Sequence, residues 1–338
     1  MTNGMFDLEF RLEDLTRTGD PLVQLKLCID WEMFRPELMT IREKERKSAA
    51  GRKPFDVVLM FKVLVLQSLY NLGDDALEYQ IRDRLSFMRF LGLSLGDSVP
   101  DAKTIWLFRE DLGRAGLVTR LFKRFDQYLR EQGFTARKGQ IVDASIVSVP
   151  IQRNSREDNA LIKQGDIPAD WSEAKRRQKD IHARWSARPK KHKFGYKNHI
   201  SIDAKHKFIR EYAVTDAGVH DSQVFGELLD ETNTSRDVWA DSAYRSEKML
   251  VELRQNEYRE HLQRKGCRNR KLTSWEKQGN RTRSRIRCRI EHVFGMQTQI
   301  AGNLILRTVG KVRAAVKIGL RNLAYNMYRC GRCMPVTG

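Results

Sequence analysis

Apolar positions follow one period before Gly139 and another after it. From Pro54 to about residue 135 the spacing is helical. Val57, Val58, Phe61, Leu64, Val65 and Leu69 form an almost wholly apolar run, which predicts a helix buried inside a bundle. Pro54 is predicted to open it, where a missing N–H costs nothing, and Asn71-Leu72-Gly73 to close it. Asp74 or Asp75 is placed to cap a second helix carrying Leu77, Ile81 and Leu85. After the break at Val99-Pro100-Asp101-Ala102-Lys103-Thr104, helices are predicted over Thr104–Leu112 and Leu117–Leu129. Residues 1–50 are weakly patterned. The expectation for 1–135 is a helical domain, either a plain bundle or one that holds a helix-turn-helix reader.

Beyond Gly139 the pattern turns to strands. GQIVDASIVSVP is short, β-branched and closed by proline, the signature of a buried strand. Residues 151–194 carry twelve bases and six acids with few apolar positions, and predict an inserted loop or arm. Strands return at Lys197–Asp203 and Phe208–Val214, joined through Ala204–Lys207 as a hairpin. Next come a helix from His220-Asp221 carrying Val224, Phe225, Leu228 and Leu229, and a short strand, Arg236–Ala240, that ends directly in Asp241. A helix capped by Ser246, a strand over Glu260–Gln263 and two last helices complete the pattern. Strand, hairpin, helix, strand, helix, strand, helix is the order of a ribonuclease H-like domain, a mixed α+β (α/β) sheet with flanking helices. It is expected over 136–330, with the basic insertion at 151–194.

Charge then gives this outline a partner. The 338 residues hold 62 Lys and Arg against 43 Asp and Glu, a formal net charge of +19. The excess lies late in the chain: residues 264–290 have eleven bases and one acid, and 301–338 have seven bases and no acid. Such a field predicts a polyanionic partner. No targeting signal and no run of 18 apolar residues is found, which predicts no membrane, and five scattered cysteines suit a reducing cytoplasm. Within the basic region Arg281–Gln299 stands out. Five arginines alternate from Arg281 to Arg289, Ile286, Ile290, Val293 and Phe294 share a helical face, and Glu291 sits at the edge of that face, one turn after Arg287.

Two further acids fall where the predicted sheet can use them. Asp143 lies mid-strand between Ile141-Val142 and Ile146-Val147, and Asp241 ends a strand that neighbours it in this layout. With Glu291 they make a set of hard oxygen donors suited to Mg²⁺. Crowded carboxylates repel unless divalent cations neutralise them, and two ions about 3.5–4 Å apart serve in-line phosphoryl displacement. Lys197 and His199, on the strand beside Asp143, are candidate phosphate contacts. Arg184 and Trp185 in the basic arm, with Arg285 and Arg287 on the late helix, are the other candidate DNA contacts, Trp185 as a stacking partner for an unpaired base.

These residues resemble the DDE transposases of the insertion sequence 5 group over about residues 55–328. The resemblance rests on Asn71-Leu72-Gly73-Asp74, Phe90-Leu91-Gly92-Leu93, and Pro100-Asp101-Ala102-Lys103-Thr104 with Phe108-Arg109. It continues through Ile141-Val142-Asp143-Ala144-Ser145, Ala183-Arg184-Trp185, Phe194-Gly195-Tyr196-Lys197-Asn198-His199, and Val214-Thr215 with His220-Asp221. Ala240-Asp241-Ser242-Ala243-Tyr244 and Arg287-Cys288-Arg289-Ile290-Glu291-His292-Val293-Phe294-Gly295 complete it. The resemblance implies that Asp143, Asp241 and Glu291 are catalytic and hold two Mg²⁺ ions, with Mn²⁺ as the alternative. Arg287 matches the arginine four residues before the glutamate. Ser284 and Thr298 stand where many relatives have tyrosine and lysine. The activity implied is binding of terminal inverted repeats, cleavage of the ends and joining of the 3′-hydroxyl to target DNA. It implies a homodimer or larger synaptic complex on DNA, at the nucleoid in the cytoplasm of a bacterial-type cell. A nuclease of the same fold that cuts without joining, and a non-catalytic DNA-binding descendant, are the alternatives.

Overall fold

In the computed structural model, which describes residues 6–42, 53–186, 192–268 and 270–334, the N-terminal stretch is helical as its spacing predicts. Its helices are α1 (Asp7–Arg17), α2 (Pro21–Leu27), α3 (Arg35–Met39), α4 (Val57–Tyr70), α5 (Asp74–Asp83), α6 (Leu85–Leu91), α7 (Ala102–Arg114) and α8 (Leu117–Glu131). The apolar run forms α4, with ten of its fourteen residues buried. It opens three residues after Pro54, because Asp56 accepts hydrogen bonds from the Val58 and Leu59 amides and so caps the helix. At α5 the capping position is Gly73, and the Asp74 carboxylate turns instead to Arg109, a guanidinium buried to 3% exposure. Trp31, Phe34, Phe61 and Phe90 pack edge to face or tilted in the core of this bundle.

The remaining elements are β1 (Gln140–Ser148), α9 (Arg156–Gln164), α10 (Glu173–Gln178), β2 (Arg184–Trp185), β3 (Phe194–Asp203), β4 (Ile209–Asp216), β5 (Asp237–Ala240), α11 (Glu247–Gln255), β6 (Arg259–Leu262), α12 (Ser274–Ala301) and α13 (Lys311–Cys333). The sheet runs β2-β3-β1-β5-β6, with β4 also paired to β3. β3 pairs antiparallel with both β1 and β4; β5 and β6 add in parallel on the other side of β1. This is the mixed sheet with flanking helices, ribonuclease H-like, that the order of elements predicts. Gly139 marks the change of period for a steric reason. Its φ is +80°, and a Cβ there would come within 2.4 Å of the Trp239 ring and 2.5 Å of the Asp237 carbonyl oxygen.

Side chains alternate across β1. Val142 joins Val238, Ala240, Phe225, Leu228, Leu250 and Leu253 on one face, whereas Val147 packs with Tyr196, Leu306, Ala314 and Ile318. The helix expected from His220 is instead two 3₁₀ turns, Asp221–Gln223 and Gly226–Leu228. Phe225 and Leu228 keep their burial because a spacing of three satisfies the tighter turn, and Gly226 offers little support to a longer helix.

Residues 151–186 are folded rather than an open arm; residues 187–191 of the expected insertion lie outside the described residues. Ser155 and Asp158 form a reciprocal cap on α9, and Trp171 is buried with its indole N–H donating to Asp158. Asp180, 4% exposed, accepts the Tyr196 hydroxyl and the amides of His182, Ala183 and Gly310, which ties the insertion to β3. The folded chain divides into two units, Met1–Leu129 with Ile300–Gly302 and Gly319–Gly338, and Arg130–Gln299 with Asn303–Ile318. The last stretch of α13 therefore belongs with the helical unit, where the sequence division kept everything to residue 330 with the sheet. No single described helix is long and apolar enough to cross a membrane.

Candidate active site

Parallel pairing sets the first two carboxylates. β1 meets β5 through Gln140 opposite Val238 and Ile141 opposite Trp239; continued two residues further, that register brings Asp143 level with Asp241. Asp241 ends β5 and caps the next turn, its Oδ1 accepting from the Ala243 amide at 2.7 Å. Asp143 shares a β1 face with Ile141 and Val147, and its side chain is 17% exposed. Burial raises its carboxyl to about 6; the Ala144 amide and Arg287 oppose that rise, while Asp241 and Asp221 add to it. Asp143 thus carries a charge that its surroundings leave undercompensated.

Glu291 reaches the site through an arginine. Ile290 and Val293 are fully buried and Arg289 donates to the Ala204 carbonyl, while Glu291 lies on the exposed flank. Arg287 donates through Nη1 to Asp143 Oδ2 at 2.8 Å and through Nη2 to Glu291 Oε1 at 2.8 Å. The i, i+4 pair is the one the sequence predicts; the bond across to β1 is visible only in three dimensions. Ser284 accepts from the Gln263 amide group, and the Thr298 hydroxyl donates to its own helix at Phe294.

Lys197 and His199 are not placed as DNA contacts. Both lie on β3, buried on every side, at 8% and 0% exposure. The Lys197 ammonium donates to Asp221 at 2.7 Å and to the Val219 carbonyl. His199 Nε2 meets Thr215 Oγ1 at 2.8 Å, and Nδ1 has no hydrogen-bond partner among the described residues. Asp221, which carries no role in the sequence beyond the His220-Asp221 pair, anchors in the fold the turn that packs against the turn following Asp241.

Burial holds the His199 imidazole at about 4, against 6.5 in the open chain, with Asp221 opposing and Lys197 reinforcing the drop. The unfolded chain therefore takes up this proton first. The stability tied to neutral His199 is intact above pH 6.5 and is lost as pH falls from 6.5 to about 4, a total of roughly 3 kcal/mol. Urea unfolding followed over that window should show a slope that His199→Gln removes. Parallel profiles for the two proteins would rule the assignment out.

Arg184 is likewise committed to structure, because its guanidinium donates to the carbonyls of Ile181, Ala183 and Ile162 and so staples the insertion. Trp185 remains available at 45% exposure, tilted against Phe194, and Arg285 is exposed on α12. Trp185 lines a cavity of about 630 Å³ together with Asn154, Asn159, Phe194, His220 and Gln223.

The donor set suits a hard divalent cation: three carboxylates, one of them buried enough that its charge is disfavoured. Among the described residues no three His, Cys, Asp or Glu side chains stand close enough together to hold a metal ion. The strand register sets Asp143 level with Asp241, while Glu291 is bonded to Arg287. The chemistry of the residues fits the ion, with a guanidinium now lying between two of its prospective ligands.

Comparison with known proteins adds three findings. Residues 136–327 match the family described as Transposase DDE domain, and residues 10–111 match Transposase domain (DUF772). The chain is also similar to the cryo-EM structure of a piggyBac transposase synaptic complex with hairpin DNA. That alignment has a TM-score of 0.46 and 13% identity, and covers 93% of this chain and 75% of the other.

Proposed function

This chain belongs to the DDE transposase family, of the type of insertion sequences 4 and 5, and we propose that it is the transposase of its own mobile element. It binds the element's terminal inverted repeats, hydrolyses the phosphodiester at each end to free a 3′-hydroxyl, and directs that hydroxyl onto target DNA. Synapsis of two ends requires at least a homodimer on DNA, at the nucleoid in the cytoplasm of a bacterial-type cell. The observation that carries this reading is the parallel register of β1 and β5, which sets Asp143 level with Asp241, with Glu291 linked to Asp143 through Arg287.

Asp143, Asp241 and Glu291 would hold Mg²⁺, two ions in the working site and Mn²⁺ as the alternative. The bound ions supply Lewis acidity, for activating a water or hydroxyl and for stabilising the leaving oxygen. The chain's own part is positioning. The buried stripe of α12 fixes the height of Glu291, and the Asp241 cap fixes the turn that carries its carboxylate. Arg285 and Arg287 neutralise phosphates beside the scissile bond, and Trp185 at the mouth of its cavity stacks on an unpaired base. Contacts to six to ten phosphates would weaken binding by roughly 10³–10⁵ between about 50 and 200 mM salt.

A labelled terminal-repeat duplex, supercoiled plasmid and Mg²⁺ test the proposal together. Label joined to plasmid is the expected product. Cut duplex without joining would reduce the protein to a nuclease, and bound but uncut duplex would leave only a DNA-binding protein.

A further inference from the structure

We propose that Arg287 is a latch that divalent metal displaces: in the metal-free protein its guanidinium clamps Asp143 and Glu291, and metal binding releases it toward the DNA. The inference rests on the reading of Asp143, Asp241 and Glu291 as the metal ligands. It concerns what Arg287 does before and after that event.

Three features of the side chain carry it. Its two terminal nitrogens each donate to a different carboxylate, Nη1 to Asp143 and Nη2 to Glu291, both at 2.8 Å. The side chain is only 20% exposed, unlike a guanidinium held out for a phosphate. Its Nε is buried with no hydrogen-bond partner among the described residues. An unmade buried bond of this kind costs about 1–3 kcal/mol. Here the orientation is set by the two carboxylates at the expense of Nε, which is what a movable counter-charge looks like.

Competition follows from the atoms. The oxygens that Arg287 occupies belong to two of the three prospective ligands, and a carboxylate oxygen bonded directly to a cation has less of its charge left for a guanidinium. A divalent ion brings twice the charge and can approach more closely, so it wins the carboxylates when it is present. Until then Arg287 keeps Asp143, Asp241 and Glu291 from facing one another uncompensated. Once displaced, it stands one turn before Glu291 on a helix whose exposed flank carries Arg281 and Arg285, and its charge joins theirs. The same residue would serve as placeholder in the free protein and as phosphate contact in the loaded one.

Calorimetric titration of the full chain with Mg²⁺ and with Mn²⁺, in the absence of DNA, separates the possibilities. Arg287→Met should bind either ion about tenfold more tightly than wild type, because a competing cation has been removed. Arg287→Lys should fall between them, since one ammonium does not span both carboxylates. Equal or weaker binding by Arg287→Met overturns the latch while leaving the metal site intact. Absence of saturable binding by wild type overturns the metal site and the latch with it. The wild-type chain provides a second test that no folding defect can blur. Mg²⁺ should move the Arg287 Nε–H resonance, assigned by its loss in Arg287→Lys, and a resonance unmoved at saturating Mg²⁺ also overturns the proposal.

Discussion

Replacing Asp143 by Asn should abolish both end cleavage and strand transfer, by about a thousandfold or more, while terminal-repeat binding persists. The substitution keeps the size of the side chain and an oxygen that can accept from the Ala144 amide. It removes the charge, and with it the strongest reason for a cation to enter the site. The fold gives an internal control. The carboxyl is raised to about 6 mainly because burial disfavours its ionised form, so the neutral amide should not weaken the native state even though Arg287 loses an ionic partner. The expected pattern is therefore unchanged thermal unfolding, unchanged gel-shift affinity, and no product on a denaturing gel. Asp241→Asn and Glu291→Gln should behave alike in catalysis. Full cleavage by any one of the three would strike that residue from the site.

The sequence made these carboxylates visible for different reasons. Asp143 stood out physically, as an acid in the middle of a β-branched run that had to be buried. Asp241 and Glu291 gained meaning from the order of elements and from the resemblance, since an acid at a strand end or a helix edge is ordinary by itself. Elements with one dominant period came through well: α4, β1 and the β3–β4 hairpin all lie where spacing put them. What spacing leaves hidden has a common cause. Lys197 and His199, expected as phosphate contacts, lie on a strand covered on both faces, and only the position of the turn bearing Asp221 reveals why a lysine can be buried there. In the insertion, the excess of bases concealed Asp180, whose partners Tyr196 and Gly310 come from far along the chain. Arg287 was read correctly as a neighbour of Glu291, since four residues make a helical turn. Its bond to Asp143 spans 144 residues, and no local pattern encodes such a contact.

Asp74→Ala should destabilise the helical unit by about 3 kcal/mol, taken from the lower end of the range for breaking a buried ion pair because Asp74 is 24% exposed. The motifs Asn71-Leu72-Gly73-Asp74 and Phe108-Arg109 looked unrelated in the sequence, yet they meet in the fold. Both Asp74 oxygens accept from Arg109, at 2.5 and 2.9 Å, and Gln67 bonds to each partner. Removing Asp74 leaves the guanidinium 3% exposed with Gln67 as its remaining side-chain partner among the described residues. Arg109→Met should cost less, about 1–2 kcal/mol, because the abandoned carboxylate can reach water and the thioether refills the space. Urea unfolding of the two variants therefore tests the asymmetry of the pair, and a larger loss in Arg109→Met would contradict it. Since the pair joins α5 to α7 in the interior, both variants should leave DNA affinity nearly unchanged under conditions where they remain folded. These two motifs would then owe their form to the architecture of the bundle.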